Sequence, residues 1–163
     1  MGRTSSRPAP RSVLAIDVGR RRIGLAGCDA LGISVTTLQA LQRQSFDEDL
    51  TRLQALIQQR RVQALVVGLP LDQQGQPTTQ ATHCRRYGTR LALAVELPLA
   101  WVNEHTSSWA AAERHGLHGD RSGALDSAAA AVLLEQWLQE GPEPQPVQRQ
   151  TIGPGQDADA ASS

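Results

Sequence analysis

Lysine is absent from this chain of 163 residues, and aromatic side chains make up only 3% of it. A chain of this length can bury a sizeable core, which must here be built from aliphatic side chains. All 16 basic side chains are arginines, and 16 carboxylates balance them to a formal net charge of zero. This balance excludes nucleic-acid binding through bulk positive charge, although a local basic patch remains compatible with it.

Cysteine is also scarce, and Cys28 and Cys84 stand alone without C-x-x-C spacing. Two such thiols in a chain without a secretion signal are typical of reduced, buried side chains. The apolar stretch 91–102 is interrupted by Glu96 and Pro98 and is too short to span a bilayer. We therefore expect a cytoplasmic protein that has no membrane partner.

The composition divides the chain into one domain and two tails. Residues 1–11 are rich in Arg, Ser and Pro and lack the apolar segment of a signal peptide. Residues 141–163 run through repeated prolines into Gly, Asp, Ala and Ser, with almost no bulky apolar groups. Because such segments bury too little apolar surface to fold alone, we predict disordered tails at 1–11 and 141–163 around a domain at 12–140.

Between the tails, hydrophobic periodicity predicts strands first and then strands that alternate with helices. Strands are predicted at about 12–18, 22–28, 33–39, 64–67 and 98–102, and helices at about 46–60, 78–94, 104–115 and 124–139. The last helix is apolar on all sides over 128–134 and must pack against the sheet. A hairpin followed by two β-α-β crossovers predicts an α/β fold, a five-stranded mixed sheet of the ribonuclease H type flanked by helices.

Asp17 ends the first predicted strand and is followed by Gly19 and an arginine run that closes at Arg22. The glycine would let a bulky phosphate approach the backbone. An acid beside arginines suits one task well, since the acid can hold a divalent cation while the arginines meet phosphate. The same residues also fit a plain alternative, an acid in a turn beside a solvated basic loop.

Three acids could converge at one edge of the predicted sheet, where ligands of open α/β sheets collect. Asp17 ends the first strand, Glu104 follows the fifth strand, and Asp126 lies in the first turn of the last helix. Three adjacent carboxylates repel unless a cation lies among them, and their oxygens suit Mg²⁺ or Mn²⁺. Such ions would activate water for in-line attack on a phosphodiester. A simpler alternative is that Glu104 and Asp126 merely favour the starts of helices.

Two further features could border such a site. The segment 68–75 predicts a loop at the same edge, whose amides and Asp72 could line a substrate groove, although Gly68 and Pro70 could equally serve only to end the strand. A phosphate-facing surface could form from the arginines of the hairpin and the second helix, and solvated charge is the commoner outcome. These are Arg20, Arg21, Arg22, Arg85, Arg86 and Arg90.

With these motifs in order, residues 12–139 resemble the YqgF (RuvX) family of ribonuclease H-like proteins, relatives of the RuvC Holliday-junction resolvases. The matching segments are Asp17-Val18-Gly19 with Arg22-Ile23-Gly24, 66–71 with Gly75, 103–108 and 125–130. The resemblance implies a nuclease that matures the 5′ end of pre-16S ribosomal RNA in ribosome biogenesis. It also implies that Mg²⁺ or Mn²⁺ is held by the catalytic residues, which match Asp17, Glu104 and Asp126.

The third motif departs from the family pattern at two positions. Asn103 stands where the family usually has aspartate, and His105 stands where it usually has arginine. Asn103 offers an oxygen without charge, and His105 gives no two-pronged grip on phosphate. Because Glu104 is retained, we expect a working site with weakened activity. We expect substrate contacts from Gly19, Arg22, Gly68, Pro70, Asp72 and His105.

Two other functions remain open at the level of sequence. A DNase that resolves branched DNA would use the same three acids and differ only in substrate. A catalytically silent module that binds nucleic acid and supports ribosome assembly or transcription would explain Asn103 and His105. Dependence of cleavage on a divalent metal separates the nucleases from the silent module.

Overall fold

The computed structural model describes residues 11–70, 74, 76, 78–103 and 123–148. These residues form five strands and three helices: β1 (Val13–Val18), β2 (Arg22–Cys28), β3 (Val35–Gln42), α1 (Phe46–Arg60), β4 (Ala64–Leu69), α2 (Thr79–Val95), β5 (Leu99–Asn103) and α3 (Ala124–Glu140). The predicted helix at 104–115 lies outside the described residues. The other eight predicted elements are confirmed, and β3 differs most, because it ends at Gln42 and not at 39.

The five strands form one mixed sheet in the order β3-β2-β1-β4-β5. β2 pairs antiparallel with β1 and β3, whereas β4 pairs parallel with β1 and β5. The parallel strands therefore end on the same side of the sheet, which we call the carboxyl edge. It comprises Asp17 to Gly19, Gly68 to Pro70, and Asn103. The predicted five-stranded mixed sheet of the ribonuclease H type is confirmed.

Helices cover both faces of the sheet, and strand alternation assigns each residue of β1 to one of them. Leu14 and Ile16 belong to the apolar layer beneath α1 and α2, which we call the α1/α2 face. Val13 and Ala15 belong to the layer beneath α3, which we call the α3 face. Asp17 continues the alternation of Val13 and Ala15, so its side chain lies on the α3 face.

α3 is the helix that covers the α3 face, and it packs its apolar side chains against the sheet. Its buried residues include Ala130, Leu133, Leu134 and Trp137, each fully inaccessible to solvent. These side chains pack on the residues of β1, β2, β4 and β5 that point to the α3 face. Among the helices that the structure describes, none is both long and apolar enough to cross a bilayer.

A buried carboxylate joins α1 to α2 on the other face. Asp49 is fully buried and accepts hydrogen bonds from Tyr87 Oη at 2.9 Å, Arg52 Nη2 at 2.7 Å and Gln44 N at 2.9 Å. These three donors offset the cost of removing the charge from water. Burial, and then the bond to Asp49, raises the pKa of Tyr87 well above its ordinary value. The bond thereby fixes how α2 lies against α1.

Residues 141–148 return to the sheet after α3. Trp137 Nε1 donates to Pro142 O at 2.7 Å. Gln145 and Leu99 then exchange two backbone hydrogen bonds of 2.9 Å each along the edge strand β5. The described structure thus continues past the domain boundary at 140 that the composition predicts, because backbone pairing with an edge strand needs no apolar side chains.

The bond from Tyr87 to Asp49 can be tested by alkaline titration, because Tyr87 is the only tyrosine in the chain. We expect tyrosinate absorbance to appear well above pH 10 in the folded protein and near the ordinary pKa of about 10 in urea. Because the folded state keeps its proton longer, the free energy of unfolding should fall as the pH rises above about 10. A native midpoint near 10 would contradict the buried bond.

The same bond predicts a stability effect at neutral pH. Tyr87→Phe leaves one oxygen of the buried Asp49 without its donor. We expect a loss of about 1–3 kcal/mol in urea unfolding, together with a weaker alkaline decline of stability. An unchanged unfolding midpoint would show that the hydroxyl contributes nothing to the fold.

Candidate functional site

The approach of α3 to the sheet is set by Gly24 in β2. Gly24 is the direct antiparallel partner of Asp17, so the two residues share the α3 face. The backbone of Asp126 lies over Gly24 so closely that a Cβ there would be 1.9 Å from the Asp126 carbonyl oxygen. Only a glycine admits this contact. Asp17 and the first turn of α3 therefore lie side by side.

Two side-chain bonds hold that first turn. Ser127 Oγ accepts a hydrogen bond from Leu25 N at 3.2 Å, next to a shift in the β2–β3 register. Arg22 Nε donates to Asp126 Oδ2 at 2.9 Å, and both side chains keep about a third of their surface exposed. The exposed ion pair adds little stability. Its consequence is local, since it places a guanidinium beside the predicted metal ligand Asp126.

The β1–β2 turn closes tightly at Gly19. Gly19 N donates to Arg22 O at 3.0 Å, and a Cβ on Gly19 would lie 2.7 Å from that oxygen. The end of β1 is also held by α2, because Val18 O accepts bonds from Gln80 Nε2 at 3.2 Å and Cys84 Sγ at 3.4 Å. The turn is thus fixed by its own backbone and by a neighbouring helix.

The nine predicted site residues divide into two groups. Six lie at the carboxyl edge or over it: Asp17, Gly19, Arg22, Gly68, Pro70 and Asp126. Three lie outside the described residues: Asp72, Glu104 and His105. Asn103 is the last described residue of β5, where it pairs with Leu69 of β4.

The described part of the chain contains only two acids of the predicted triad. Within it, no three His, Cys, Asp or Glu side chains come close enough together to hold a metal ion. The third predicted ligand, Glu104, is outside that part. The described geometry therefore brings Asp17 and the first turn with Asp126 together, and the assignment of all three acids as metal ligands stays a prediction.

Arg43 is a residue of this edge that the sequence analysis missed. Its backbone N donates to Arg21 O at 2.8 Å, and its Nη1 donates to Gly19 O at 3.0 Å. Its guanidinium also lies 4.8 Å from the ring centroid of Tyr87. Gly19 is 24 residues away in sequence, so no local pattern marks Arg43. Ser127 could have been found, because a serine in an otherwise apolar helix needs a partner.

The sheet order and the acid at the end of the first hairpin strand define an α/β domain of the ribonuclease H-like class. The model of the RuvX family, described as Holliday junction resolvase, matches residues 11–140. The chain belongs to the RuvX family, and the resemblance drawn from its motifs is confirmed.

Relatives with high identity extend over nearly the whole chain. A protein of Parasynechococcus marenigrum (strain WH8102) is 70% identical, and the alignment covers 91% of this chain and 94% of that protein. A protein of Synechococcus sp. (strain CC9605) is 71% identical, with 88% and 90% covered. Both are named as candidate pre-16S rRNA nucleases.

Among solved structures, Thermus thermophilus RuvC in complex with a Holliday junction substrate matches 83% of this chain and 99% of that chain. The TM-score is 0.48 and the sequence identity is 17%.

Gly24→Ala tests the close contact that sets α3. Its methyl group would collide with the backbone of Asp126, which cannot turn aside as a side chain can. We expect a loss of about 1–3 kcal/mol in urea unfolding. Gly27→Ala is the matched control in the same strand, because its Cβ would meet only the flexible end of Arg60, at 2.7–2.9 Å. Equal losses in the two variants would contradict the special role of Gly24.

Proposed function

We propose that this protein is a metal-dependent nuclease that matures the 5′ end of pre-16S ribosomal RNA. The observation that supports it most is the placement of Asp17 beside the turn that carries Asp126, with Gly24 between them. Relatives at 70% and 71% identity that are named as candidate pre-16S rRNA nucleases support the choice of substrate. Such a substrate implies a cytoplasmic protein that meets ribosome assembly intermediates.

Asp17, Glu104 and Asp126 are the residues that would hold Mg²⁺ or Mn²⁺. The donor set fits a hard divalent cation, because two carboxylates share one face and the Asp126 side chain is 29% exposed. The proposal requires Glu104, two positions after Val102 of β5, to add the third carboxylate. When bound, the ion would polarise the phosphodiester and activate a water for in-line attack.

The hairpin supplies the other proposed contributions. Arg22 orients the Asp126 carboxylate through its 2.9 Å bond and offsets part of the negative charge around it. Gly19 presents no side chain, so a phosphate can reach the turn next to Asp17. We keep as candidates for the substrate groove the residues Gly68, Pro70, Asp72 and His105.

Branched DNA is the second candidate substrate, favoured by the family description as Holliday junction resolvase. The acids and the metal would be the same, so the substrate alone separates the two activities. Asn103 and His105 motivate a third outcome, a module that binds nucleic acid without cutting it. That module would bind RNA with strong salt dependence and with little response to Mg²⁺.

Asp17→Asn, Glu104→Gln and Asp126→Asn each remove one proposed ligand charge while keeping the shape of the side chain. We expect each to lower metal-dependent cleavage at least about a hundredfold, which corresponds to ~2.7 kcal/mol of transition-state stabilisation. Asp47→Asn is the matched control, because it makes the same change at an exposed position in the first turn of α1. The readout is trimming of a pre-16S RNA that carries its 5′ extension, with Mg²⁺, Mn²⁺ or chelator.

The outcomes of this assay separate the candidates. Full activity in any one of the three variants would break the assignment of the triad. Cutting of branched DNA and not of the RNA precursor would move the assignment to junction resolution. Binding without metal-dependent cleavage of either substrate would identify a silent module.

A further inference from the structure

A group of basic side chains extends from the β1–β2 turn to α2, on the side of the carboxyl edge away from Asp126. We call it the basic surface and define it as Arg20, Arg21, Arg43, His83 and Arg86. Arg20 and Arg21 are exposed in the β1–β2 turn, and His83 and Arg86 are exposed on α2. Arg43 follows β3 and lies between these two groups.

Arg43 connects the turn to α2. Its Nη1 donates to Gly19 O at 3.0 Å and lies 2.8 Å from His83 Nε2. Its guanidinium also lies against the ring of Tyr87, which is anchored to the buried Asp49. The partners of this guanidinium are a carbonyl, an imidazole and an aromatic ring, and none of them is an anion. Its positive charge is therefore not neutralised by these contacts.

The charges around His83 have one sign. Partial burial lowers the pKa of His83, and the nearby positive charges of Arg43 and Arg86 lower it further. Asp49 is the buried carboxylate that Tyr87 connects to this group, and it is already bound by Arg52 and Tyr87. Like charges that remain close together, without a described acid between them, create a local positive potential that attracts anions.

The start of α2 adds to the same potential. Thr78 caps the helix by accepting a bond from Ala81 N, and no acid lies in its first turn. Within this first turn, no acidic side chain offsets the positive end of the helix dipole. Gln80 and Cys84 hold this end of α2 against Val18, directly before the turn.

We propose that the basic surface binds the sugar-phosphate backbone of the substrate outside the acidic site. The identity of that substrate rests on the proposed function, whereas the binding itself does not require cleavage. Asp17 and Asp126 lie on the α3 face, whereas Arg43 and the basic residues of α2 lie on the α1/α2 side. Arg20 and Arg21 lie in the turn between them, so a bound strand would cross the turn at Gly19. Arginine forks are suited to phosphate, and several of them bind a backbone without reading its sequence.

Arg86→Gln tests the surface with a substitution far from the acids. Binding of labelled single-stranded RNA is measured by fluorescence anisotropy. Every protein compared carries Asp17→Asn, and the buffer contains chelator, so that cleavage plays no part. We expect about 3- to 10-fold weaker binding and a salt dependence reduced by about 0.7 in log-log slope, as the loss of one phosphate contact gives. Arg43→Gln should weaken binding at least as much.

Arg61→Gln is the matched control, because Arg61 is an exposed arginine at the end of α1, before β4 begins and thus away from the carboxyl edge. It removes the same charge and should change binding less than twofold. Equal weakening by Arg61→Gln, or no weakening by Arg86→Gln and Arg43→Gln, would overturn the proposal. Should Arg43→Gln fail to fold, Arg86→Gln combined with Arg21→Gln replaces it in the comparison, because Arg21 is exposed in the turn.

A parallel arm with branched DNA distinguishes the source of the phosphates. If the variants bind both nucleic acids more weakly, the surface accepts any phosphate backbone. If they bind only RNA more weakly, the surface is shaped for RNA. Failure of the nuclease assay with an intact Arg86 effect would reject the proposed activity and keep the surface. Cleavage without any effect of Arg86→Gln on binding would keep the proposed activity and reject the basic surface.

Discussion

The contact between Gly24 and the backbone of Asp126 is the constraint on which the rest of the site depends. α3 packs its apolar side chains on an aliphatic layer of the sheet, and the hydrophobic effect has no direction of its own, so burial alone does not specify the position of the helix. Gly24 admits the helix backbone at one point, and Ser127 fixes the register by accepting a bond from Leu25 N. Because Gly24 pairs with Asp17, the same contact decides that the two acids are neighbours.

The electrostatics of the edge follow from that packing. Two carboxylates on one face repel each other, and the fold answers with a guanidinium, Arg22, on Asp126. This ion pair is about one-third exposed, so it contributes little to stability, and what it supplies is orientation. The buried Asp49 is treated differently, since its three donors offset the cost of removing its charge from water. Asp49 thus holds α1 and α2 together, whereas Asp17 and Asp126 stay partly exposed to solvent.

Much of the fold could be predicted because its signals are local. α1 spans the predicted residues because Ser45 caps it and acids fill its first turn. The hairpin that carries Asp17 was likewise visible as a strand, a glycine turn and a second strand. The contacts of Gly24, Arg43 and Gln145 could not be predicted, because each depends on which strands become neighbours and on a partner distant in sequence.

The layered architecture separates the charges that the composition balances. Strand alternation sends Asp17 to the α3 face, where Asp126 joins it, while Arg43 and α2 bring their cations to the α1/α2 face. A chain with no formal net charge therefore carries an acidic and a basic side at one edge, on either side of the turn at Gly19. A polyanion is repelled by the acids unless a cation lies among them, and it is attracted by the arginines next to them. The proposed metal and the proposed phosphate contacts would therefore support each other, because each would neutralise charge that otherwise opposes the approach of the other.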